Sequence, residues 1–140
     1  MFTRTDPRSE QLRALPLFSA CSNRELDAVA KLADETHIRA GAILTREGSP
    51  GHECFVLLDG RADVRIGRKL VARIGPGEIV GEMALLESEP RTATVVTTTP
   101  VRALVMTRPN FTAVLEQAPS LARRVMRTLA RRLREVQSAA

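Results

Sequence analysis

Between residues 36 and 107 the chain holds no hydrophobic period for long. Short runs rich in β-branched and apolar residues stand at 36–40, 43–46, 54–58, 62–66, 70–74, 92–99 and 101–107. They are broken by Gly41, Gly48-Ser49-Pro50-Gly51, Asp59-Gly60, Gly67 and Pro100. Runs of this length bounded by turn residues predict strands, and many short strands with frequent turns predict a sandwich or barrel. Asp59-Gly60 reads as a hairpin turn between two such runs, because both residues tolerate positive φ.

Helical patterns flank this region. Residues 1–8 are polar, contain Pro7, and read as a flexible lead-in. A short helix over 9–14 precedes Leu15-Pro16-Leu17-Phe18, where proline ends the pattern and bulky groups follow to pack on something. Ser22-Asn23-Arg24-Glu25 is a capping box, with Ser22 as N-cap and Glu25 reaching back, and it opens a helix over 23–33. After Arg108-Pro109, Phe111, Val114 and Leu115 share one face of a helix over 110–117. Pro119 ends it, and Ser120 is expected to cap a last helix over 120–137. There Leu121, Val125, Leu129, Leu133 and Val136 form a stripe that suits core or lid. The expectation is one α+β domain over residues 1–140.

Charge is concentrated at the C-terminal end. The whole chain carries a formal charge of +5, and residues 120–140 alone hold six arginines against Glu135, which accounts for all of it. Such a helix could touch nucleic acid, anionic lipid or an acidic protein. Aromatic groups for stacking on bases are absent from that stretch, which holds none of Phe2, Phe18, Phe55 and Phe111. Apolar runs are far too short for a membrane span, and Met1-Phe2-Thr3-Arg4 leads into no signal-peptide core, so the chain reads as cytoplasmic. Cys21 and Cys54 lack metal-ligand spacing and read as buried free thiols, and His37 and His52 have no clustered partners, so no metal is expected. No nucleophile stands with a base in an arrangement that predicts an enzyme.

The function is expected in the stretch 75–96. Gly75, Gly77 and Gly81 let the backbone turn and approach a ligand closely. Residues 83–86 are good helix formers stopped by Glu87-Ser88-Glu89-Pro90, which predicts one short helix whose N–H groups and positive end sit just after Gly81. Arg91 follows at the head of a β-branched run, where a strand would aim its guanidinium. Glu82 and Arg91 by themselves could be a surface ion pair of little worth. Glycines, a helix start and a strand together favour a seat for a single phosphate.

Gly81-Glu82-Met83-Ala84-Leu85 and Pro90-Arg91-Thr92-Ala93-Thr94-Val95 resemble the phosphate-binding cassette of the cyclic nucleotide-binding domain family. The likeness covers roughly residues 15–136, with Cys54 where the family more often has a larger residue. It implies an antiparallel β-roll (jelly roll) of about eight strands, N-terminal helices, two C-terminal helices and a short phosphate-binding helix. It further implies that Arg91 pairs with the cyclic phosphate and Glu82 accepts from the ribose 2′-hydroxyl. Gly81, Ala84 and Thr92 would offer N–H groups or a hydroxyl, and Val80, Met83 and Ala93 complete the expected ligand-binding set. The final helix would swing over the base, with Arg132 at the place of an arginine that lies on the purine in some members. Cyclic AMP is the expected ligand, with cyclic GMP or dual specificity as the alternative because Thr92 follows the cassette arginine. A nucleic-acid or membrane-surface module built on the arginine helix is the rival reading. The regulated effector and any oligomer are not legible, no catalysis is expected, and the stretch after Val136 leaves no room for a downstream DNA-binding domain.

Overall fold

A computed structural model of the chain describes residues 7–81, 91 and 93–139. Among them run α1 (Pro7–Arg13), a 3-10 turn (Pro16–Phe18) and α2 (Asn23–Leu32). Eight strands follow: β1 (Asp34–Ile38), β2 (Ile43–Thr45), β3 (Glu53–Asp59), β4 (Ala62–Ile66), β5 (Lys69–Ile74), β6 (Ile79–Val80), β7 (Thr94–Thr97) and β8 (Val101–Thr107). Helices α3 (Arg108–Gln117) and α4 (Pro119–Ala139) close the order. The strands form two four-stranded antiparallel sheets, β1-β8-β3-β6 and β2-β7-β4-β5. This is the expected β-roll with helices. The short helix expected over residues 83–86 lies outside the described residues.

The middle strands of the first sheet explain how two layers share one wall. In β3, Cys54, Val56 and Leu58 face the helices, while Phe55 and Leu57 face the second sheet. Side chains alternate along a strand, so a continuous apolar run is what a strand covered on both faces requires. On β8 the same division puts Leu104 and Met106 among the helices and Val101 and Ala103 between the sheets. Against the helical side pack Leu12, Phe18, Leu26, Val29, Phe111, Val114, Leu121 and Val125. Neither Cys21 nor Cys54 is in a disulfide and both are buried, and the Cys21 thiol is pushed up to about 11, chiefly by burial, with Glu25 adding and Arg124 opposing.

Asp59-Gly60 is not a hairpin. β3 and β4 lie in different sheets, and the link between them carries the chain across the roll. Gly60 has φ +95, and a side-chain carbon there would collide with the Pro100 carbonyl and Val101. Gly60 does take positive φ, but the partner strands are set by the sheets they complete. The hairpin lies one turn later, where Ile66 faces Lys69 across Gly67-Arg68, with Gly67 at φ +60. Ile79–Val80, too short to show a period, is a further strand that pairs with Val56 and Phe55.

The capping box forms as expected. Ser22 Oγ accepts from Glu25 N–H at 3.2 Å and Glu25 Oε1 accepts from Ser22 N–H at 2.8 Å. α1 begins at Pro7, inside the stretch expected as a lead-in. At the other end Pro119 starts α4 instead of preceding its cap, and Ala118 both ends α3 and accepts from Ala122 N–H at 3.0 Å. Proline suits a first helical position, where no N–H partner is needed. Ser120 is therefore inside the helix, and its N–H donates at 2.8 Å to Glu25 Oε2.

Candidate ligand-binding site

Gly81 ends β6 with φ +87, a conformation that side-chain-bearing residues adopt only under strain. Arg91 meets this corner beside Glu53 at the start of β3. Arg91 is 7% exposed. Its Nη1 donates to the Gly81 carbonyl at 3.0 Å and its Nη2 to the Glu53 carbonyl at 2.6 Å. A side-chain carbon at Gly81 would run into Nη1.

The main chain around Arg91 is equally fixed. Arg91 N–H donates to the Ser49 carbonyl and Gly48 N–H to the Arg91 carbonyl, both at 2.8 Å. Thr45 Oγ1 donates to the Ala93 carbonyl and Glu47 N–H to Thr94 Oγ1, both at 2.9 Å. The loop between β2 and β3 is thus stitched to the segment that leads into β7. A concavity of about 310 Å³ opens beside Arg91, lined also by Leu44, Thr45, Arg46, Ser49, His52 and Glu53.

Of the residues expected at the site, the structure brings Gly81 and Arg91 into direct contact. Ala93 lies two positions beyond Arg91 and engages through its carbonyl. Val80 is buried in the core between the sheets, directly before Gly81. Glu82, Met83, Ala84 and Thr92 lie outside the described residues. Arg132 is half-buried on α4 and does not line the concavity at Arg91. The carbonyls of Glu53 and Ser49 were missed. A carbonyl is common to every residue, so no side-chain pattern marks it; only the Gly48-Ser49-Pro50-Gly51 cluster hinted that this loop approaches closely.

Chemically, the two carbonyls orient the guanidinium fork. A planar guanidinium held in this way is suited to an anion with two oxygens to share, a carboxylate or a phosphate. Among the described residues no group of three histidine, cysteine or carboxylate side chains could hold a metal ion, and no helix is long and apolar enough to cross a membrane.

Roll, helical flanks and an oriented arginine behind a glycine corner define a nucleotide-binding regulatory module. The chain belongs to the cyclic nucleotide-binding domain family, whose model matches residues 35–118. It is 39% identical over 97 residues to the Pycsar effector protein XpPycTIR of Xanthomonas perforans, covering 69% of this chain and 32% of that protein. It is 29% identical over 132 residues to the CRP-like cAMP-activated global transcriptional regulator of Mycobacterium tuberculosis, covering 89% of this chain and 58% of that protein. Sp-2Cl-cAMPS bound to PKAR CBD2 has the same fold, with a TM-score of 0.84 at 22% identity over 94% of this chain and 88% of the other. The chain spans less than two-thirds of either curated relative, 32% and 58%.

Proposed function

We propose that this domain is a cAMP-preferring sensor without catalysis of its own, in which Arg91 receives the cyclic phosphate. The observation that carries the reading is the buried Arg91 fork, aimed by the Gly81 and Glu53 carbonyls. A buried cation is stabilised when an anion meets it in good geometry, and a cyclic phosphodiester presents two non-bridging oxygens that share one negative charge. Glu82 is assigned the ribose 2′-hydroxyl, and Gly81, Ala84 and Thr92 the remaining sugar and phosphate contacts. Val80, Met83 and Ala93 shape the pocket wall. The membership of the family and the cAMP-activated relative support a cyclic nucleotide, and cAMP in particular.

α4 is assigned the moving part. It closes over the base, with Arg132 reaching the purine. A ligand shifts such a helix only by binding one of its positions better than the other. Titration calorimetry with cAMP, cGMP and linear AMP tests the proposal. cAMP is expected to bind most tightly and AMP most weakly. Equal affinity for AMP and cAMP would remove the cyclic phosphate from the reading, and a cGMP preference would move the specificity to the Thr92 hydroxyl.

A further inference from the structure

We infer that Glu25 is a positioning residue for α4: one carboxylate caps α2 and α4 together, so the start of α4 stays seated and any closure pivots beyond Val125. Glu25 Oε1 accepts from Ser22 N–H and Oε2 from Ser120 N–H, each at 2.8 Å. Ala118 occupies the N-cap position of α4 and has no side-chain acceptor. A carboxylate from α2 therefore takes the place that Ser or Asp would take locally, with its charge at the positive end of the helix. Glu25 is 8% exposed, so water competes little for these bonds.

Burial then declines along the helix. Leu121 and Val125 are each 2% exposed and sit in the helical core, and Leu129 is partly buried against it. Met126 is 62% and Leu133 49% exposed. The first two turns are held by a buried carboxylate and two core side chains; beyond them, among the side chains described up to Arg134, apolar burial falls to the partly buried Leu129. Segments with few buried contacts open at lower free energy, so movement belongs to the later turns.

The pivot rests on the proposed closing of α4; the anchor does not, and it can be tested without ligand. Amide hydrogen exchange in the ligand-free protein compares wild type with Glu25→Gln and Ser22→Ala. A glutamine offers one acceptor oxygen where the carboxylate offers two, so Glu25→Gln should speed exchange at Ser120 and Leu121 by about tenfold or more, with no comparable change in β3. Ser22→Ala removes the hydroxyl, which accepts from Glu25 N–H and also bonds the carboxylate, but keeps Ser22 N–H on Oε1 and Ser120 N–H on Oε2, and should leave the first turn of α4 near wild-type rates. Wild-type rates in Glu25→Gln, or an equal rise in Ser22→Ala, would overturn the anchor.

Spin labels read the pivot, placed by Arg123→Cys and Arg134→Cys in separate proteins, each with a reference at Arg68→Cys; both native thiols are buried. On adding cAMP to the otherwise wild-type protein the label at 134 should move and the one at 123 should stay. In Glu25→Gln both should move. Motion of both without that substitution overturns the pivot. Motion of neither with nucleotide bound overturns the closing of α4 and the pivot with it, while the exchange data judge the anchor alone.

Discussion

The Arg91 guanidinium donates to the Gly81 carbonyl at 3.0 Å, and the space beside that carbonyl is the space a side chain on residue 81 would need. Gly81 is thus required twice, once by its φ of +87 and once by the arginine that packs on it. Gly81→Ala should destabilise the fold by about 1–3 kcal/mol, the scale for a side chain forced into a disfavoured backbone conformation. It should also weaken nucleotide binding, because the fork must move. Thermal melts and calorimetry on one preparation check this. A variant that melts and binds like wild type would mean that the corner is not the seat of the ligand.

Arg91→Ala should weaken cAMP binding by at least ~2 kcal/mol, the scale for removing one member of a desolvated charged pair. Because Arg91 also ties the ends of β3 and β6, its loss should lower the melting temperature as well, and titrations belong well below it. Arg91→Lys keeps the charge but not the fork and should fall between the two. Superimposable titrations of wild type and Arg91→Ala would refute the phosphate role.

For Glu82→Gln a smaller loss is expected, and the ligand can be changed to match. If Glu82 accepts from the ribose 2′-hydroxyl, the loss should shrink further against 2′-deoxy-cAMP, since the bond is then missing in both proteins. Calorimetry on the four combinations gives the coupling directly. A loss that persists undiminished with the deoxy ligand would assign Glu82 elsewhere.

How far these features could be read in advance depended on whether a side chain announced them. Ser22 and Glu25 are three positions apart, and their mutual caps were legible because both acceptors are side chains in one turn. The second bond of the same carboxylate reaches Ser120, 95 positions on, and nothing local marks it. Ser120 does not cap α4, which begins at Pro119; the Ser120 N–H is instead met by Glu25 of α2. The run 54–58 was legible as a strand, yet only assembly showed that Cys54, Val56 and Leu58 serve one core while Phe55 and Leu57 serve another. Arg91 was visible as the candidate cation; the carbonyls that aim it carry no signature.

Asp59-Gly60 shows the same limit and gives a prediction about stability alone. Gly60 crosses between sheets at φ +95 with the Pro100 carbonyl against the place of its missing side chain. Gly60→Ala should cost about 1–3 kcal/mol. Gly67 has φ +60 but open space around it, so Gly67→Ala should cost less. Chemical denaturation of both variants checks the order, and equal losses would remove the steric part of the argument.

Acid should loosen the join between α2 and α4 through Glu25. Burial by itself would raise its carboxyl, but hydrogen bonds from Ser22 and Ser120 outweigh that and hold it below the ordinary carboxylate range. A group with a lowered folded-state value binds its proton first in the unfolded chain. Its contribution to stability is complete above the ordinary value of roughly 4.3 and is lost as pH falls through the folded value. Glu25→Gln has no such proton to bind. Melting temperatures of wild type and Glu25→Gln should therefore differ most near about pH 7 and converge on acidification below about pH 4. Other carboxylates contribute acid sensitivity to both proteins alike, so the difference between the two curves isolates Glu25. A gap that stays constant across this range would mean that the substitution acts through packing, and the charge on Glu25 would not be what joins the two helices.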